Sequence, residues 1–432
     1  MFDDSRKEGR VVMQSIFHSI PAIDLQNGII YESEHYGAGN YVVRIDKTTK
    51  QEYQVYLEKL EKSGFHQYVN NENGINDDVF TAIYTYGELV LHVTHMSRLQ
   101  RTYMSASVGL PLSEHLLYKE EYRQNCLANA KTTLHMLEMW YFGNSFVIQL
   151  KNGHFIVSDG GTIHEAKYLL DYIRNLTPQG EKPTIEAWFI THAHGDHCGF
   201  FDEFITDKKL QDEFCVDGIY FNEPNDGVLS MSPFTWWAVG GIKIAAKHMR
   251  NSEGKRPKVY RPKTGERYYF CDVVIDIVHT QEQLPREDYN NEDYPGDFND
   301  SSTWYMVHID GQKVLFTGDG DIGSMDVIMK AYDDTYFDMD VLTLPHHGFN
   351  TSFDFVNYVK VKTVLATVRD KLPRMRKEQN AYFMKNVEEW LSWGDGTKVL
   401  EFPYKVGQYR SLPNMDWIYH EGQERPEQPN LE

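Results

Sequence analysis

The stretch THAHGDHCG, residues Thr191 to Gly199, sets three histidines and one aspartate within six positions, His192 to His197. Imidazole nitrogens and carboxylate oxygens are the side-chain donors that hold first-row divalent cations, so H-x-H-x-D-H spacing reads first as metal chemistry. His192 and His194 stand two apart, and an extended backbone puts both on one side. A tight turn through Gly195 then returns Asp196 and His197 to the same space. The pattern supplies two ligand sets, an imidazole pair for one ion and an Asp-His pair for a neighbouring second ion. As a mere surface loop, the same groups would converge behind an apolar run with nothing to neutralise them, at a large desolvation cost.

Three further runs end in donors. HFIVSD delivers Asp159, KVLFTGD delivers Asp319, and VLTLPHHG delivers His346 and His347 beside a glycine that permits close approach. A carboxylate at a buried strand end, such as Asp319, can share its two oxygens between two ions.

Taken in order, IVSDGG, HAHGDH, VLFTGDGD and VLTLPHHG resemble the motifs of the metallo-β-lactamase superfamily of dinuclear metal hydrolases, over about Met136 to Tyr419. The resemblance implies an α/β chain with a four-layer αββα fold and two divalent metal ions, Zn2+ by default, with Mn2+ or Fe2+ as alternatives. It implies His192, His194, Asp196, His197, Asp319 and His347 as the metal ligands, with Asp319 bridging. Asp159 would hydrogen-bond a ligating histidine and fix its tautomer rather than touch metal. Asp196 and His346 are carried over as catalytic, although the roles of His346 and His347 can also be read in reverse. The implied reaction is attack by a metal-bridging hydroxide, with His346 donating a proton to the leaving oxygen.

One departure stands out. Many members carry a further histidine in a GHT-type segment ahead of the bridging aspartate. Here GDFNDSSTWYMV, Gly296 to Val307, has Asn299 or Asp300 in that place, so the first site is expected to be more weakly held or richer in oxygen. His279, in IDIVHTQ, reads more readily as a strand-end residue than as a substitute ligand. The combination of NDSS, TGD and PHHG resembles the metallo-β-lactamase-like domain of bacterial DNA-uptake channel proteins and, more loosely, phosphorylcholine esterases, whose substrates are phosphodiesters.

These residues need elements to position them. Strand-like FVIQL and HFIVSDGG, a helix carrying Ala166, Leu169, Leu170, Tyr172 and Ile173, and the apolar IEAWFI leading into the histidines describe strands alternating with helices. In such α/β layers the strand ends carry the site. The first third reads differently: NYVVRI, VFTAIYTY and ELVLHVTHM are short strands, and one helix has Thr48 and Gln51 as a capping box and Gly64 as its stop. Residues 1–112 are therefore expected to form a small N-terminal α+β accessory domain, 113–131 a helical linker and 132–432 the metallo-β-lactamase-like hydrolase domain. The accessory domain has no chemical constellation, since His92 and His95 read as ordinary packed or surface residues rather than ligands; it is a candidate for lid formation, partner binding or homo-oligomerisation.

Composition bounds the rest. The 432 residues are 41% hydrophobic and 14% aromatic, which suits packed cores and excludes a disordered chain. No apolar window reaches the roughly 18–20 residues of a membrane helix, and the opening MFDDSRKEGR is charged, so no membrane partner is expected and the chain reads as cytoplasmic. The four cysteines, Cys126, Cys198, Cys215 and Cys271, form no CxxC pair and read as reduced thiols. A formal net charge of -20 disfavours gripping long nucleic acid and favours a small-molecule substrate.

A phosphoester is the leading substrate class, supported by the resemblance and by the basic RDKLPRMRK, Arg369 to Lys377, which could meet an anionic group. A lactone, β-lactam or thioester carbonyl is the alternative, with SPFTWWAVGG, Ser232 to Gly241, as an apolar lining. A non-catalytic metal-binding scaffold is the third reading, disfavoured because structural zinc sites close all four positions, often with cysteine. A diiron oxidoreductase is discounted, because His194 stands where those relatives carry glutamate.

Overall fold

Trp188 and Phe189 are neighbours on the strand Thr184–Ile190, so they point to opposite faces and mark the layers on either side of it. Trp188 stacks on Phe200 at 4.3 Å between ring centroids and meets Phe204 of the helix Phe201–Thr206 edge-on. Phe189 packs 4.9 Å from Tyr305, which belongs to a second, facing sheet. One residue away, Trp304 meets Phe355 of the helix Phe353–Tyr358 at 5.7 Å on the far side of that sheet. Helix, sheet, sheet and helix follow one another, and the architecture is a four-layer αββα arrangement. The computed structural model describes residues 18–36, 40–118, 126–127, 129–139, 143–224, 233–283, 298–370, 372–373, 375–394 and 396–412.

Among the described residues the first of the facing sheets has nine strands, with Phe155–Asp159 and Ser145–Gln149 at its middle, and the second has seven, centred on Gln312–Phe316. Each is built by the same sequence of steps. In the first, Thr133–Met136, Ser145–Gln149 and Phe155–Asp159 form antiparallel hairpins, and Thr184–Ile190, Gly218–Phe221 and Lys258–Tyr260 then add in parallel. In the second, Val273–His279, Trp304–Ile309 and Gln312–Phe316 are antiparallel, and Asp338–Thr343, Lys360–Ala366 and Glu389–Ser392 add in parallel. Asp159 and Asp319 therefore follow the third strand of each half, and the HAHGDH and PHHG runs follow the fourth. The motifs meet because the two halves repeat one topology, a duplication that the sequence itself does not display.

Helices Ala166–Leu176 and Pro233–His248 cover the outer face of the first sheet, while Ile322–Ala331, Phe353–Tyr358 and Lys377–Lys385 cover that of the second. The five apolar positions expected to face inward on the helix Ala166–Leu176 are all buried.

Ahead of these layers, six antiparallel strands run in the order Ile29–Tyr36, Asn40–Asp46, Arg101–Val108, Leu89–Met96, Val79–Tyr86 and His66–Asn70. One face carries Phe80, Ala82, Tyr84, Leu91 and Val93 against the helix Lys50–Lys62. The other lies on these layers: Thr81 Oγ1 donates to the Thr264 carbonyl at 2.9 Å, and His92 Nε2 meets Glu266 Oε1 at 2.9 Å. Gly265 sits in the left-handed region at this seam, and a Cβ there would fall 2.0 Å from Thr81 Oγ1.

The capping box of Lys50–Lys62 is one residue later than the Thr48 and Gln51 expected from the sequence. Thr49 Oγ1 accepts from the Glu52 N–H at 3.1 Å, and Glu52 Oε2 accepts from the Thr49 N–H at 2.8 Å. Thr48 is unavailable, because its hydroxyl is buried against that of Thr102 at 2.8 Å and its N–H donates to Gln100. A carboxylate at the third helical position also suits the helix dipole better than an amide. Of the stretch 113–131 expected to be helical, the described residues hold one 3-10 turn, Glu114–Leu116. Residues 119–125 and 128 lie outside the described set.

Candidate metal centre

After Ile190 the chain leaves its strand, and a single helical turn, Gly195–Cys198, carries Asp196 and His197 back beside His192 and His194. The ring of His192 lies 4.6 Å from that of His194 and 4.2 Å from that of His197. Across the cleft Asp319 is buried, and its two oxygens face different partners. Oδ1 is 3.1 Å from His197 Nε2 and 3.7 Å from His347 Nε2. Oδ2 is 3.8 Å from His192 Nε2 and 3.9 Å from His346 Nε2. Two groups of donors follow, each with its ligand atoms within 4.8 Å of one another: Asp196, His197, Asp319 and His347, and then His192, His194 and Asp319.

The donors fit divalent cations. His197 Nε2, His347 Nε2 and Asp319 Oδ1 face one another, buried and without a hydrogen-bond partner among the described residues. Buried polar atoms are seldom left so unless something else binds them. The other ring nitrogens are held from behind. His197 Nδ1 lies 2.8 Å from Asp159 Oδ2, and Asp159 also accepts from the Thr191 N–H and hydroxyl, each at 2.8 Å. His347 Nδ1 donates to the Thr367 carbonyl at 3.0 Å. Each clamp keeps the proton on Nδ1 and leaves the Nε2 lone pair for a cation.

Charge tells the same story. Burial alone would lower His197, yet the carboxylates of Asp319, Asp159 and Asp196 outweigh it and hold the ring well above the ordinary histidine range. Burial, aided by His197 and His194, keeps His192 well below it. Asp319 stays ionised far below the usual carboxylate range, because His197, His347 and His346 overcome its burial. An acidic cage of this kind calls for positive charge at its centre, which a proton on His197 or a bound cation supplies.

The PHHG turn separates its two histidines by backbone geometry. His346, His347 and Gly348 all lie in the left-handed region, with φ of 44°, 50° and 80°. Two consecutive non-glycine residues there are costly and mark a site where the surroundings impose the shape. Asn380 Nδ2 donates to the Gly348 carbonyl at 2.7 Å, and the His346 N–H donates to Gly318 at 3.1 Å. The rings diverge, His347 towards Asp319 Oδ1 and His346 towards Oδ2. Asp321 Oδ1 takes His346 Nδ1 at 2.8 Å.

The NDSS segment divides into separate tasks. Asn299 Nδ2 reaches His346 Nε2 at 3.3 Å, at the edge of the site. Asp300, the other residue expected near the first ion, is turned away from it: its Oδ1 accepts from the Asp321 and Ser324 N–H groups at 3.1 and 2.9 Å and anchors the start of the helix Ile322–Ala331. Ser302 Oγ accepts from the Asp319 N–H at 3.2 Å. The segment thus positions Asp319 and His346. His279 is buried on its strand and belongs to neither group of donors, and Cys198 lies beside His194, its thiol donating to the His194 carbonyl.

Thr191, Asp321 and Thr367 were not singled out from the sequence. Asp321 had a signal in GDGD, two residues beyond Asp319, whereas Thr367, whose carbonyl and hydroxyl both lie at His347 Nδ1, stands in no motif. Within SPFTWWAVGG, Trp237 is exposed on the helix Pro233–His248; Ser232 and the side chains of 233–236 lie outside the described residues. Within RDKLPRMRK, Pro373 packs beside Gly348, while Lys371 and Arg374 lie outside them. No described helix is long and apolar enough to cross a membrane.

No family model matches the sequence, and no curated protein does. Among solved structures the chain is similar to a Thermotoga maritima protein assigned to the Zn-dependent hydrolases of the metallo-β-lactamase superfamily, at 10% identity over 54% of this chain and 74% of that one, with a TM-score of 0.24. It is also similar to a metal-dependent hydrolase of the β-lactamase superfamily, at 12% identity over 66% of this chain and 100% of the other, with a TM-score of 0.33.

Proposed function

We propose that this chain is a metal-dependent hydrolase that uses two divalent cations, zinc first among them, to cleave a small phosphodiester. The observation that carries this reading is Asp319, whose two oxygens each face a separate set of imidazoles. Asp196, His197 and His347 would hold one cation with Oδ1, and His192 and His194 the other with Oδ2. When bound, the cations supply Lewis acidity and a water of lowered pKa.

The chain's own residues do the rest. Asp159 and Thr367 fix the ligating rings, and Ser302 holds the backbone of Asp319. His346 is more open than its neighbours, and Asp321 steadies its Nδ1. Once protonated at Nε2, the atom that the Asn299 amide now meets, His346 would hand a proton to a leaving oxygen or hydrogen-bond the charge that develops during attack. The NDSS and PHHG resemblance favours a phosphoester over a carbonyl substrate, and the basic composition of RDKLPRMRK, whose Pro373 packs beside Gly348, favours an anionic one.

The test is elemental analysis of protein purified without added metal, beside hydrolysis of bis(p-nitrophenyl) phosphate and a chromogenic lactone or β-lactam. Two ions per chain with diester turnover, both lost in Asp319→Ala, are expected. Turnover of the lactone or β-lactam alone would move the reading to carbonyl chemistry. One ion or none, with neither substrate cleaved after zinc or manganese is supplied, would make the chain a scaffold.

A further inference from the structure

Cys126 and Cys271 come from distant parts of the sequence, yet their sulfurs lie within 4.8 Å of one another, with Asp272 in the same cluster. Cys198 and Cys215 join no such cluster among the described residues. Cys271 is buried and Cys126 half-buried, so a small reagent meets Cys126 first. Two features indicate that the pairing is built in.

The first is backbone shape. Cys271 opens the two-residue turn between the strands Arg267–Phe270 and Val273–His279, with φ of 44°. Glycine or asparagine is the usual occupant of such a place, and a cysteine kept there points to a use for its side chain. The second is anchoring on both sides. The Leu127 N–H donates to the Lys151 carbonyl at 3.0 Å, the Thr132 hydroxyl donates to Asp272, and the Lys151 N–H donates to Asp272 Oδ1 at 3.2 Å. Asp272 is thereby occupied, and the Lys151 ammonium 3.5 Å away opposes a cation, which disfavours a metal site. What remains is a pair of thiols held together.

We propose that Cys126 and Cys271 close to a disulfide by exchange with a small-molecule disulfide of the glutathione type. Burial, the hydrogen bond with Cys126 and the nearby Asp272 carboxylate hold Cys271 above the ordinary thiol range, so Cys126 acts first. Its thiolate attacks one sulfur of the reagent, breaks that S–S bond and releases one thiolate, which takes up a proton. Cys271 then loses its proton to solvent and attacks the Cys126 sulfur, releasing the second small thiol. Two protein thiols are oxidised, and one disulfide is reduced to two thiols. The new bond staples the segment leading into Thr133–Met136 of the first sheet to a hairpin turn of the second. That turn precedes Val273–His279, whose opposite end pairs with Trp304.

The test is to incubate the full chain with oxidised glutathione, alkylate the remaining thiols under denaturing conditions and map the peptides by mass. A Cys126–Cys271 cross-linked pair is expected, with Cys198 and Cys215 alkylated, and reduction by dithiothreitol restores all four thiols. Cys271→Ser should stop at a glutathione adduct on Cys126, and Cys126→Ser should stay unmodified at Cys271. Full alkylation of both cysteines in the unsubstituted protein, or a cross-link to Cys198 or Cys215, would overturn the proposal. So would zinc released in step with thiol alkylation, which would make the cluster a metal site.

Discussion

Replacing Asp159 by asparagine tests the clamp behind His197. The carboxylate accepts three hydrogen bonds at 2.8 Å, from the Thr191 N–H, the Thr191 hydroxyl and His197 Nδ1. Asparagine has nearly the same shape and can still accept from the Thr191 backbone. Its amide nitrogen would then face the hydroxyl and the imidazole, where a donor meets a donor. His197 would answer by moving its proton to Nε2, the nitrogen that must be bare to hold a cation. Loss of such a supporting carboxylate weakens metal affinity by roughly 10–100-fold, or about 1.4–2.7 kcal/mol. The loss should be selective. His192 meets Asp159 only through the Thr191 hydroxyl, which lies 3.2 Å from its Nδ1, so the ion on that side should lose much less affinity. Competition with a chromogenic chelator resolves the two binding steps, and a thermal melt without metal controls for folding. One step shifted by that factor and the other by clearly less is the expected result. Two unmoved steps, in a variant that melts like the parent, would refute the tautomer argument.

Three other expectations follow from the same contacts. Thr49→Ala should destabilise the chain by about 1 kcal/mol in denaturant titration through loss of the helix cap, whereas Gln51→Ala, on the exposed side, should stay within roughly 0.5 kcal/mol. His95 is pushed down to about 4, chiefly by burial and then by Lys50, so it folds as the neutral ring. Its contribution is present above the unfolded value near 6.5 and is lost as pH falls towards 4, by up to about 3 kcal/mol; His95→Gln should flatten the stability curve over that window. Gly318 has φ of 51°, and a Cβ there would come 2.6 Å from the Thr191 Cβ, so Gly318→Ala should displace Asp319 and weaken both metal steps together, read by the same chelator competition.

Much of the site was legible because metal chemistry restricts residue types and their spacing. The H-x-H-x-D-H run, the strand-end aspartates and PHHG each announce donors, and apolar runs of strand length announce what delivers them. The helix Lys50–Lys62 was legible to within one residue. Two overlapping boxes, Thr48 with Gln51 and Thr49 with Glu52, were both written in the sequence, and only the burial of Thr48 against Thr102 chose between them. Asp300 was a candidate near the metal until the start of the helix Ile322–Ala331 claimed its carboxylate. The cysteines looked scattered because their pairing depends on a hairpin turn and a connecting segment far apart in the chain.

By itself, then, the sequence determined which atoms are available for chemistry and in what local order, since side-chain identity and the periods of strand and helix are local properties. The tertiary structure decided which donors come together. Asp319 separates His197 and His347 from His192 only because two sheets of like topology bring corresponding strand ends face to face. It also decided tautomers, through Asp159 and Thr367, and the divergence of His346 from His347, through a left-handed turn held by Asn380 and Gly318. Those outcomes depend on partners distant in sequence, whose approach is set by packing rather than by any local pattern.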